Sequence, residues 1–182
     1  ICPFYDALLD AENDIRQVLV RQEANGGHAA NGYARISGKP AVCIATSGPG
    51  ATNLITAIAT AYADSIPIVC ITGQVNTDQI GSDVFQEADI TGSAEPFVKH
   101  SYLLKDPEDT ARVFKEAFYI AGTGRPGPVL IDIPMDVQKA VIDFEYPEKC
   151  EIRSYKPTTK GNYVQVRRVM AALEEAEKPL IC

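Results

Sequence analysis

Histidine is scarce in this chain, with only His28 and His100, and five cysteines (Cys2, Cys43, Cys70, Cys150 and Cys182) show no CxxC or CxxH spacing. That pattern excludes a structural zinc site, and no metal ligand is assigned within the chain. An odd number of cysteines, two of them inside apolar runs ("AVCIAT", "IVCIT"), fits buried reduced thiols in a cytoplasmic protein better than a disulfide framework. There is no apolar run near the length of a membrane span and no signal-peptide pattern, so no membrane partner is expected. A basic surface is also missing. The net charge of −7 argues against nucleic acid as a partner.

What is present is an alternation. Helix-like residues 4–11 precede a strand-like "QVLV" (17–20), then a helix over 23–37. Strand 41–46 leads through "SGPG" to a helix over 51–63, and strand 66–72 follows. A loop-rich stretch from Gly73 to Pro96 comes next, then an extended segment over 97–104. Helix 107–121 has Pro107 in its first turn and Gly122 just after it, a sound start and stop. "GRPGPVLIDIP" (124–134) supplies a turn and a last apolar strand. Short apolar strands separated by helices predict an α/β fold, a doubly wound parallel sheet with helices on both faces. Residues 143–160 read as a linker. Residues 161–182 read as an amphipathic helix and the beginning of a strand, the opening of a second, truncated domain. The start inside an apparent element, "ICPFYDALL", gives the whole the look of an excised piece.

Two stretches suggest chemistry. In open parallel sheets the ligand crevice lies outside the carboxyl ends of the strands, and residues 21–25, 47–53 and 73–76 all leave strands at that edge. "TSGPGATN" (46–53) has glycines before a helix, which suits a phosphate or equally a tight turn that lets a flat ligand approach the backbone. It matches neither the P-loop nor the dinucleotide fingerprint. Glu23 opens a helix that then carries Gly26, Gly27 and Gly32, each costing about 1 kcal/mol against Ala. An acid there complements the helix dipole, and by itself requires no further role.

Taken together, "RQEANGGHAANGYARISGKPAVCIATSGPGATN", "ADSIPIVCITGQV", "IGSDVFQEADI" and "GRPGPVLIDIPMDVQ" resemble the thiamine-diphosphate-dependent 2-oxoacid enzymes. Within them the likeness is to the acetolactate synthase family. The resemblance implies a pyrimidine-binding domain over 1–142, in which Glu23 touches N1′ of the cofactor's aminopyrimidine. Such a carboxyl favours the tautomer whose nitrogen takes the proton from the reactive thiazolium carbon. To share a proton near neutral pH it must be buried, so Glu23 is predicted buried in the assembled enzyme. The glycines after it would admit cofactor and backbone closely, or serve helix packing.

The resemblance also places Thr46, Pro49 and Asn53 around the pyrimidine, Gln86 near cofactor and substrate, Phe85 in the substrate channel, and Arg125 against FAD. It puts the diphosphate and Mg²⁺ on another domain, whose Gly-Asp-Gly…Asn motif does not occur here, so the isolated chain is expected to be inactive. It implies 2-oxoacid substrates, a homodimer or tetramer with the site between subunits, and a small regulatory subunit. Glyoxylate carboligase, pyruvate oxidase and, for the isolated chain, a non-catalytic dimerisation module are the alternatives. Several positions depart from the family pattern: Gln22, Ala24-Asn25, Asn76, Val84 and Met135. "EAN" is the form found in FAD-free members.

Overall fold

The computed structural model describes residues 1–11 and 14–180, which separate into two compact units at Ile152/Arg153. The first unit contains four strands, β1 (Ala41–Ala45), β2 (Ile68–Gln74), β3 (His100–Leu103) and β4 (Val129–Pro134). All pair in parallel, in the order β1-β2-β4-β3. β2 and β4 are buried along their whole length, as the apolar runs "IVCIT" and "VLIDIP" require of central strands covered on both faces.

The helices of this unit are α1 (Cys2–Asp10), α2 (Glu23–Ser37), α3 (Pro49–Thr52), α4 (Ile55–Ala63), α5 (Ile90–Ala94), α6 (Thr110–Gly122) and α7 (Met135–Lys139). On one face, Ala30 and Ala34 of α2, Leu54, Ile58 and Ala61 around α4, and Ile90 and Ala94 of α5 pack with Cys43, Cys70 and Leu130 of the sheet. On the other, α6 packs against β2, β3 and β4 and buries Val113, Ala117 and Ile120. The doubly wound α/β fold is therefore present.

α2 and α4 approach closely, for a reason visible at one residue. A Cβ on Gly27 would lie 2.5 Å from the Cβ of Ala57, so only glycine there permits the contact. Gly32 has nothing within 4 Å of the same position. Of the two roles expected for the glycines after Glu23, helix packing is the one served by Gly27.

The elements differ from expectation at several points, including α5, which forms inside the stretch expected to be loop-rich. Residues 17–20 form no strand: Val18 and Leu19 are 73% and 96% exposed, and no strand among the described residues pairs with them. Alternation and β-branching make a segment able to pair but supply no partner. The single helix expected over 51–63 is two, because the chain turns at Asn53 and Leu54 between α3 and α4. A short helix, α7, follows β4 where none was expected.

The second unit contains α8 (Tyr163–Glu175), begun by Asn162, whose side chain accepts from the N–H groups of Val164 and Gln165 at 3.0 and 3.2 Å. The strand expected to begin after it falls at Ile181 and Cys182, which lie outside the described residues.

A candidate cofactor crevice at the carboxyl edge of the sheet

Each helix that returns along a parallel sheet starts at the carboxyl edge, so the start of α2 and the 46–53 turn meet there. Gln22 caps α2: its side-chain oxygen accepts from the N–H of Asn25 at 3.1 Å. Two of the unusual positions thus satisfy one another and leave Glu23 at the first helical position. Glu23 is half-buried in this chain. Its Oε2 accepts from Asn53 Nδ2 at 3.0 Å.

The turn itself is shaped by missing side chains. A Cβ on Gly50 would stand 2.7 Å from Thr46 Cγ2 and 3.4 Å from Glu23 Oε1. Gly48 has φ +63°, and a Cβ there would lie 2.9 Å from both Cα and the carbonyl oxygen of Gln86. Residues 48–50 therefore have Glu23 and Thr46 on one flank and the backbone of Gln86 on the other. Glu23, Thr46, Pro49, Asn53 and Gln86 are brought to one place. Pro49 opens α3 and is exposed. Phe85, beside Gln86, is 88% exposed.

Arg125 is not part of this group. Its Nε donates to Ser65 Oγ at 2.7 Å, and Ser65 follows α4 and precedes β2, at the amino edge of the sheet. Asn76 and Met135, two further unusual positions, follow the carboxyl ends of β2 and β4 and are brought together through their neighbours: Thr77 N–H and Oγ1 donate to the Asp136 carboxylate at 3.1 and 2.5 Å.

Two acidic features near the carboxyl edge of the sheet went unrecognised in the sequence. Asp132, on β4, is buried beneath the carboxyl edge and accepts from Thr72 Oγ1 at 2.7 Å and Gln74 Nε2 at 2.9 Å. Burial pushes its carboxyl up to about 7, with the Asp89 charge adding to the rise and the two donors opposing it. Its signal was a lone acid inside an apolar strand run. The second is Glu87, whose carboxylate gathers backbone N–H groups of the preceding loop.

A separate hollow of 390 Å³, lined by Phe4, Ala111, Phe114, Ile133, Val137 and Phe144 among others, includes none of the expected site residues. Among the described residues, no group of three His, Cys, Asp or Glu side chains could hold a metal ion.

The sheet thus brings to its carboxyl edge a carboxylate, a carboxamide and a glycine-rich turn, within a doubly wound α/β domain. Residues 1–93, just over half of the chain, match the family described as "Thiamine pyrophosphate enzyme, N-terminal TPP binding domain". The chain belongs to this family of thiamine-diphosphate enzymes. It is similar to the acetolactate synthase of Arthrospira platensis, at 51% identity over 98% of the chain and 32% of the relative. It is 50% identical to the acetolactate synthase of Mycobacterium bovis, over 100% of the chain and 29% of the relative. The probable acetolactate synthase large subunit of Methanocaldococcus jannaschii is also 50% identical, over 98% of the chain and 30% of the relative. The chain thus spans about a third of the length of these relatives.

Proposed function

We propose that this chain is the pyrimidine-binding part, over 1–142, of an acetolactate synthase. The whole protein would condense two pyruvates, or pyruvate and 2-oxobutyrate, to 2-acetolactate or 2-aceto-2-hydroxybutyrate with release of CO₂. The observation that carries the reading is the Glu23 carboxylate, with Oε2 held by Asn53 and Oε1 facing the space that a side chain on Gly50 would fill. Thiamine diphosphate supplies the electron sink for decarboxylation when bound.

The residues present fit the aminopyrimidine end of that cofactor. Asn53 orients the Glu23 carboxylate, leaving the other oxygen to exchange a proton with a ring nitrogen. Thr46, Pro49 and the glycine backbone provide a flat wall, and Gln86 lies across the turn. The residues do not fit the diphosphate and its Mg²⁺, whose ligands would lie outside this chain. For that reason the isolated chain is expected to be inactive. Because Glu23 is only half-buried here, a second subunit is expected to close the crevice, in a homodimer or tetramer. Phe85, exposed beside Gln86, suits a substrate channel, and Arg125 a flavin contact at the other edge. No described helix is long and apolar enough to cross a membrane. The buried free thiols of Cys43 and Cys70 support an assignment to the cytoplasm.

The test uses the full-length protein with pyruvate, thiamine diphosphate and Mg²⁺, with and without FAD, and product identification by NMR. Acetolactate from wild type and a loss of at least tenfold in Glu23→Gln are expected. Acetyl phosphate, acetaldehyde or no product would overturn the assignment. Unchanged rates without FAD would remove the role given to Arg125.

A further inference from the structure

The loop between β2 and α5, residues 75–89, carries Gln86, and one side chain gathers its 81–84 backbone amides. The Glu87 carboxylate accepts from the N–H of Gly81 and, at 3.1 Å, from that of Val84. The N–H groups of Gly81, Val84, Ser82 and Asp83 together hold this carboxyl below the usual range, so it is ionised at neutral pH. The backbone closes the same ring, with Glu87 N–H donating to Val84 O at 3.0 Å.

Inside the ring, Asp83 and Gln86 have φ +54° and +60°. Left-handed backbone is uncommon for residues other than glycine and persists where surrounding contacts enforce it. At Gln86 this conformation brings Cα and the carbonyl oxygen to the face of Gly48 where any side chain would collide. The far end of the loop is tied to the sheet by Gln74. Its Nε2 donates to Ala88 O at 2.8 Å and to Asp132 Oδ2 at 2.9 Å, and its Oε1 accepts from Val75 N–H at 2.9 Å.

We propose that Glu87 is a positioning residue: its carboxylate, by gathering the 81–84 amides, seats Gln86 against Gly48 at the cofactor crevice. This rests on the proposed function, in which Gln86 lies at the cofactor. Glu87 touches neither the turn nor any group assigned to the chemistry, and acts through its neighbour.

Amide hydrogen exchange of the full-length protein tests the tether. In Glu87→Gln one of the two acceptor oxygens becomes a donor facing other donors. The Gly81 and Val84 amides are expected to exchange at least tenfold faster, with β2 and β4 unchanged. Unchanged exchange at Gly81 and Val84 would overturn the proposal, and so would an equal rise across β2 and β4, since Glu87 would then serve the whole fold.

A double-mutant cycle on thiamine diphosphate affinity tests the route. Glu87→Gln and Gln86→Ala should each weaken binding at least threefold, and the double variant should bind no more weakly than Gln86→Ala alone. Additive losses would overturn it. Unchanged affinity in Gln86→Ala would sink the cofactor role of Gln86, and with it the positioning role, while the exchange result would still report the tether separately.

Discussion

Asn53 donates to the Glu23 carboxylate at 3.0 Å across thirty positions of sequence. The break between α3 and α4 falls at Asn53 and Leu54. A continuous helix over 51–63 would not have that break at the residue that meets the glutamate.

Asn53→Ala removes this donor. A partly exposed hydrogen bond to a charged group contributes about 1 kcal/mol, so activity of the full-length protein at saturating pyruvate is expected to fall roughly fivefold. The same ~1 kcal/mol lowers the thermal midpoint by only about 2–4 °C, which leaves the variant folded under assay conditions. A loss of activity that simply tracks a loss of stability would contradict the orienting role.

Gly50→Ala places a methyl group 2.7 Å from Thr46 Cγ2 and 3.4 Å from Glu23 Oε1. Overpacking of this kind costs about 1–3 kcal/mol. The expected outcome is thiamine diphosphate affinity reduced at least tenfold by titration. Thr46→Ser removes the closest colliding atom, and the double variant should recover part of the loss.

Asp132 gives a pH dependence of stability with a definite sign. Its folded value, about 7, stands above the ordinary 3.8 because the site is buried. Between those values the folded chain holds a proton that the unfolded chain has released. The contribution is complete below 3.8 and is lost as pH rises through about 7, at ~1.4 kcal/mol per pH unit. Denaturant unfolding between pH 4 and 8 should show this decline in wild type, and Asp132→Asn should flatten it. The same slope in the variant would assign the titration elsewhere.

Gly27→Ala drives a methyl group to 2.5 Å from Ala57 Cβ. A destabilisation of about 1–3 kcal/mol is expected, read as a lower midpoint in urea. Ala57→Gly on that background should restore part of it. Failure of the second change to help would mean that the contact is relieved by some other movement.

The core of the fold was legible because apolar runs bounded by glycine and proline have few readings. α2 runs over the expected residues 23–37, whereas α6 starts three residues later than expected, because Pro107–Asp109 form a separate 3-10 turn, and runs through Gly122 rather than stopping before it. The glutamate and the "SGPGATN" turn were legible as a pair only through a family resemblance, since each alone is satisfied by helix-end physics. Residues 17–20 show the converse limit. Their composition describes a strand, but a strand needs a neighbour, and composition does not say whether one is present. Asp132 and Glu87 were missed for a different reason: each acts through partners distant in sequence or through backbone groups that leave no residue signature.

The contact between Gly27 and Ala57 lies one helical turn beyond Glu23 on α2 and one turn beyond Asn53 toward α4. It therefore acts as a spacer gauge, and the separation of the Glu23 and Asn53 side chains depends on how little matter stands between two helices. A single methyl group added at either end of that gauge would be read at the carboxylate without touching it. Tuning of the chemistry in this domain can therefore proceed through residues that line no crevice, and a survey of variants confined to the crevice would overlook them.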